Sequence, residues 1–218
     1  MNELMESPID TSRLSRKSLA LPPVQSVCVY CGSSKGLNGT HAIAARKLGK
    51  ALADNGIRLV YGGGSLGLMG EVARATLGAG GKVTGVIPEF LVNREKMLKD
   101  VDDLIVVQNM HTRKQLMFDR SDAFVALPGG IGTLEELVEQ LTWSQLGRHT
   151  KPIIVANVDD FWAPFLDLIK HMKRQAFIGP EFDLHYTVVN RIEDVLPAIF
   201  AGVESGKVNG TEGVLSKF

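Results

Sequence analysis

The residues best placed to do chemistry are Pro128-Gly129-Gly130-Ile131-Gly132-Thr133-Leu134-Glu135-Glu136. They follow an apolar run, Ala123-Phe124-Val125-Ala126-Leu127, and open a helical pattern in which Leu134, Leu137, Val138 and Leu141 share one face. A strand therefore stops at a glycine turn and a helix begins there. Such a junction aims unpaired backbone N–H groups and a positive dipole end at one point, which suits a phosphate. The glycines let the backbone approach a ligand where a Cβ would block it. Glu135 and Glu136 lie in the first helical turn. Carboxylates beside an anion site point to chemistry on the ligand.

A second turn of this kind lies upstream. Arg58-Leu59-Val60-Tyr61 reads as a strand, Gly62-Gly63-Gly64-Ser65-Leu66-Gly67 follows, and a helix starts near Leu68. This matches G-x-G-x-x-G between strand and helix. Two such turns point to a single phosphorylated ligand held between strand ends.

The elements that position these turns alternate along the chain. Strands are expected at Val24–Tyr30, Ile57–Tyr61, Lys82–Ile87, Leu104–Val107, Ala123–Leu127, Pro152–Ala156 and Thr187–Val189. Helices are expected at Thr40–Asn55, Leu68–Leu77, Thr112–Asp119, Thr133–Leu146, Phe161–Gln175 and Arg191–Phe200. The strands are near-continuous apolar runs, as in a parallel sheet covered on both faces. The fold class is α/β, a doubly wound, mainly parallel Rossmann-like sheet with helices on both faces. Ligands bind beyond the carboxyl ends of such strands. Three loops lie there: Cys31-Gly32-Ser33-Ser34, Gly62–Gly67 and Pro128–Thr133. Met110-His111-Thr112-Arg113-Lys114 brings cations to the same rim.

Composition excludes other classes. The chain has 218 residues, 44% hydrophobic and 22% charged, with zero formal net charge. No basic block supports nucleic-acid binding. No apolar run approaches the ~20 residues of a membrane span. Residues 1–23 read as a flexible polar tail without the apolar core of a signal peptide, residues 24–202 as one domain, and 203–218 as a C-terminal tail. Cys28 and Cys31 are spaced C-x-x-C, but no second ligand pair exists for zinc. Odd spacing on a strand sends their side chains to opposite faces, so they read as reduced thiols of a cytoplasmic protein. No metal and no cofactor is called for.

Gly62-Gly63-Gly64-Ser65-Leu66-Gly67-Leu68-Met69-Gly70, Met110-His111-Thr112-Arg113-Lys114 and the Pro128–Glu136 string together resemble the Lonely Guy (LOG) family. The similarity runs from about Val27 to about Ala201. Members of that family are cytokinin riboside 5′-monophosphate phosphoribohydrolases, once described as possible lysine decarboxylases. The resemblance implies hydrolysis of the N-glycosidic bond of an adenosine 5′-monophosphate, classically N6-modified, to free base and ribose 5-phosphate. It implies catalytic roles for Arg113 and Glu136. Lys114, Gly130, Gly132, Thr133 and Glu135 match the nucleotide-binding segment, Glu95 a substrate-contacting acid, and Thr142 a further contact. With their turn neighbours, Gly129, Ile131, Leu134, Gly62, Gly63, Gly64, Ser65, Gly67, Met69, Gly32 and Ser33 complete the expected substrate-binding set. The resemblance also implies a homodimer, with the helices after the fourth and fifth strands near the interface and Trp143 as its aromatic candidate. Thr112 departs from the Glu or Gln common at that position.

The residues also allow other readings. Thr133-x-x-Glu136 is a capping-box pattern in which Glu136 would bond to the backbone. Gly62–Gly67 could be a dinucleotide fingerprint with Glu89 as its ribose acid, but Pro88 intervenes and the turn falls in the second βα unit. A carrier of the same fold would bind a nucleotide or cofactor without turnover. It would have no need of a catalytic acid. Lysine decarboxylation lacks a lysine in a recognisable pyridoxal phosphate setting.

Overall fold

Each apolar run finds a neighbour of its own kind. The computed structural model describes residues 24–37, 39–92, 96–182 and 184–210. Its strands are β1 (Ser26–Tyr30), β2 (Arg58–Tyr61), β3 (Val83–Pro88), β4 (Asp103–Val107), β5 (Ala123–Ala126), β6 (Ile153–Ala156) and β7 (Thr187–Val189). They form one sheet in the order β4-β3-β2-β1-β5-β6-β7, every pair parallel. The helices are α1 (Gly39–Asp54), α2 (Gly67–Gly78), α3 (Met110–Asp119), α4 (Ile131–Gln145), α5 (Ala163–Arg174) and α6 (Val195–Gly210).

The period-two pattern of the strands divides the interior into two layers. Val27, Val29 and Cys31 face a core shared with α1, α2 and α6, whereas Cys28 and Tyr30 face one shared with α3, α4 and α5. β5 and β6 alternate in the same way, with Val125 and Ile154 on one side and Phe124 and Val155 on the other. This is the doubly wound sheet expected from the sequence. Cys28 and Cys31 lie on opposite faces, as their spacing predicts.

Several element boundaries differ from the expected ones. α3 starts at Met110 because Asn109 caps it, its Oδ1 accepting from Thr112 N at 2.9 Å. α4 starts at Ile131, and its cap is Gly130, which offers no side-chain bond. α6 starts at Val195 after a short 3-10 turn and runs to Gly210, past the Gly202 boundary expected for a tail. Residues 1–23, Glu95 and the end of the C-terminal tail lie outside the described residues. Among the described residues, no helix is long and apolar enough to cross a membrane.

The chain winds outward from β1 to β4, then returns to β5 on the other side of β1. The loops after β1 and β5 part at this switch point and leave a crevice. Backbone contacts fix its floor. Gly32 N donates to Pro128 O at 3.1 Å, and Gly32 O accepts from Leu68 N at 2.9 Å and Met69 N at 3.3 Å. The start of α2 is thereby pressed against the β1 loop. Gly67 makes this possible: its φ is +57°, and an added Cβ would stand 2.2 Å from Ser33 C. Gly67→Ala is expected to cost about 2–3 kcal/mol and lower Tm by about 5–10 °C in thermal denaturation. An unchanged Tm would show that this docking is dispensable.

Candidate active site

The crevice is built from three chain segments that the sequence separates widely. Capping by Asn109 sets the phase of α3, which turns Arg113 inward toward the sheet. Its Nε donates to Val86 O of β3 at 3.1 Å, and its Nη1 stands 3.3 Å from Met110 Sδ. The same Nη1 donates to Glu136 Oε1 of α4 at 2.7 Å. Both side chains are only 9% exposed. The two residues expected to be catalytic thus form a buried ion pair. Gly62 borders this pair: a Cβ there would fall 2.3 Å from Arg113 Nη2 and 3.0 Å from Met69 Sδ. A glycine is required at this point because the guanidinium occupies the space of a side chain.

The capping-box reading of Thr133-x-x-Glu136 does not hold. The cap is Gly130, three residues before Thr133, and Glu136 is turned into the protein toward Arg113. Thr133 is buried, with its Oγ1 in the space a Cβ on Gly129 would need. Gly32 packs beside Gly129.

Lys114 and Glu135 are also brought together. Lys114 Nζ donates to Glu135 and, at 2.9 Å, to Glu139, a residue the sequence did not single out. Burial alone would lower the Lys114 pKa, but the hydrogen bonds to Glu135 and Glu139 outweigh it and hold the ammonium above its ordinary value. Glu139 lies one helical turn beyond Glu135, and that i, i+4 spacing was its only available signal.

The two glycine turns differ. In Gly62–Gly67, Ser65 N donates to Lys96 O, Gly63 O accepts from Leu98 N, and Gly64 bridges Met97. The first amides of α2 go to Gly32 O. The backbone of this turn is therefore largely committed to holding its neighbours. In Pro128–Thr133, no side chain caps α4, and the positions where Gly130 and Gly132 would carry a Cβ are open space. The first-turn amides of α4 have no intrahelical partner.

The remaining expected residues divide. Ser33 and Ile131 are exposed at the crevice and Leu134 is half-buried against the core. Thr142 is exposed, its Oγ1 donating to Val138 O. It lies about 9 Å along the axis of α4 from Glu136 and on a different face, so the fold does not bring it to the ion pair. Trp143 packs edge-on against Phe118 of its own chain with Arg148 over its ring, the guanidinium 3.8 Å from the centroid.

Behind Glu136 lie Cys28 and Tyr30. Burial pushes the Cys28 thiol far above its usual range, and the Glu136 carboxylate adds to this. Burial raises the Tyr30 phenol as well. Neither ionises near neutrality, which removes Cys28 as a nucleophile. A separate cavity of about 690 Å³ lies at the opposite rim, between the starts of β6 and β7 and the first three turns of α6.

The family model described as "Possible lysine decarboxylase" matches residues 69–199. A rice protein named cytokinin riboside 5′-monophosphate phosphoribohydrolase LOG is 50% identical over 155 residues, 71% of this chain and 64% of its own length. A second rice relative is spanned over 63% of its length, so the chain covers less than two thirds of both. A Rhodococcoides fascians protein with the same enzyme name is 44% identical over 181 residues, 83% of this chain and 91% of its own. The molybdenum cofactor carrier protein of Chlamydomonas reinhardtii superposes with a TM-score of 0.62 at 22% identity, covering 83% of this chain and 99% of that one, a likeness of fold alone. With its sheet, its paired glycine turns and these relatives, the chain belongs to the Lonely Guy family, whose model carries the lysine decarboxylase description.

Proposed function

We propose that the chain hydrolyses the N-glycosidic bond of an adenosine 5′-monophosphate, plain or N6-modified, giving free base and ribose 5-phosphate. The observation that carries this reading is the buried Arg113–Glu136 pair beside the start of α4, which no side chain caps. The relatives' enzyme name supports it. The amides of Ile131, Gly132 and Thr133 take the 5′-phosphate, as a helix N-terminus does. The Gly62–Gly67 turn shapes the wall and leaves room for Arg113.

The reaction builds positive charge on the ribose as the C1′–N9 bond breaks. The Glu136 carboxylate stabilises that charge and takes a proton from the attacking water, a contribution of about 10²–10⁴-fold. The bond's electron pair leaves with the purine, which gains a proton. Arg113 orients Glu136 and offers donors to the developing negative charge of the base. A carrier would have no use for a carboxylate held at such cost in a buried pair.

The direct test is incubation with AMP and isopentenyladenosine monophosphate, with free base followed by chromatography. Glu136→Gln is expected to lower kcat by at least about 10²-fold while the protein stays folded. Adenosine, lacking the phosphate, is expected to lose most of kcat/KM, because remote binding energy positions the reacting bond. Near wild-type turnover by the variant, or equal kcat/KM for adenosine and AMP, would overturn the reading.

The anion position has its own test. Gly132→Ala fills open space near the proposed phosphate and replaces glycine within a helix. Tm is expected to hold or to rise slightly. Affinity for AMP is expected to fall about tenfold or more, read by calorimetry. Unchanged affinity would move the phosphate elsewhere.

The proposed assembly is a homodimer through α3 and α4. α4 and its C-cap expose Ile131, Val138 and Leu146 on one stripe, with Glu135 and Thr142 between them. This stripe, rather than Trp143, is the apolar surface available to a second copy. Light scattering at micromolar concentration is expected to give a dimer mass, and Val138→Glu to give the monomer. A monomeric wild type would sink the proposal.

A further inference from the structure

One carboxylate on α2 is shared by three cations. The Glu71 side chain, 11% exposed, meets Lys35 Nζ at 2.7 Å through Oε1 and Arg46 Nη1 at 2.7 Å through Oε2, while Arg74 Nη2 stands 3.8 Å from Oε1. Three cations against one carboxylate leave a surplus of two positive charges. The three are held differently. Arg46 is fixed on α1, and Arg74 on α2 also donates to Ser65 O at 3.0 Å. Lys35 lies on the exposed loop leaving β1, with its side chain 61% exposed.

That loop borders the crevice. Gly32, three residues before Lys35, is bonded to Pro128 O and packs against Gly129. Three residues span at most about 10 Å, and a lysine adds a flexible four-carbon stem. The Lys35 backbone therefore lies within about 10 Å of Gly32, on the β1 side of the crevice.

We propose that Lys35 is a phosphate-binding residue held in store by Glu71. When the 5′-phosphate enters, the ammonium passes from Glu71 Oε1 to a phosphate oxygen, and Arg46 keeps the carboxylate paired. The Lys35 end of the pair is 61% exposed and screened by salt, so its exchange for a doubly charged phosphate is favourable. The surplus positive charge also draws an anion to this rim before contact. When Lys35 leaves, the Arg46 contact at 2.7 Å to Oε2 still pairs the Glu71 carboxylate. The inference rests on the phosphorylated ligand proposed above.

The test compares wild type, Lys35→Met and Lys35→Arg for AMP and adenosine, with AMP binding measured separately by calorimetry. Lys35→Met is expected to raise KM and Kd for AMP about tenfold or more, as loss of a charged hydrogen bond does. Its kcat is expected to stay within about twofold, and both Tm and the adenosine kcat/KM to be unchanged. Lys35→Arg is expected to restore most of the affinity. AMP affinity unchanged in Lys35→Met, or equal losses for AMP and adenosine, would overturn the inference while wild-type hydrolysis left the proposed reaction standing. A wild type that binds AMP without releasing base would overturn the reaction, and the Kd values alone would then decide the role of Lys35. A wild type that neither binds nor cleaves AMP would overturn both.

Discussion

The buried ion pair between Arg113 and Glu136 is the constraint to which the surrounding structure conforms. Taking two charges out of water is costly, and removing one partner of such a pair costs about 3–5 kcal/mol because the other is left uncompensated. The fold meets that demand from several directions. Asn109 caps α3 in a phase that sends Arg113 inward, Val86 supplies a backbone carbonyl to its Nε, and Gly62 leaves room for the guanidinium. Glu136 comes from the second turn of α4, whose start is set by Gly130. The pair thus ties the helix after β4 to the helix after β5. It does so at the place where the sheet reverses direction.

The two glycine turns share composition and differ in task. Gly62–Gly67 spends its backbone on Lys96, Leu98 and the Gly32 carbonyl, and so acts as a buttress. Pro128–Thr133 keeps the start of α4 open. Both follow parallel strands and precede helices, so the local pattern is the same. The difference lies in what packs over each turn. Around the rim the charges are arranged in clusters: Lys114 between two carboxylates, Glu71 among three cations. Each cluster joins elements that the chain visits at different times.

The periodicity arguments succeed where burial is uniform and fail at ends. Apolar strand runs and helical stripes locate the seven strands and six α-helices of the described residues because each must bury a face. The start of α4 is misplaced because a glycine cap carries no side-chain signal. Thr133-x-x-Glu136 has the form of a capping box, but tertiary packing offers Glu136 a stronger partner in Arg113 than a backbone amide. Trp143, an aromatic candidate for an interface, packs against Phe118 with Arg148 over its ring.

The sequence by itself determined the fold class, the three rim loops and the charged residue types near them. These follow from local spacing: strand, glycine turn, helix, with acids close behind; expected in the first turn, they fall in the second because α4 starts at Ile131. Only the tertiary structure decided which acid is buried. Glu135 and Glu136 are neighbours in the chain, yet one faces Lys114 at the surface and the other Arg113 in the interior. A helix turns about 100° per residue, so adjacent side chains diverge. The partner each meets depends on α3, more than twenty residues earlier in sequence. The roles of Val86, Gly62, Glu139 and Glu71 were hidden for the same reason. Their contacts join distant segments, and nothing in their immediate sequence records which segments the sheet will place side by side.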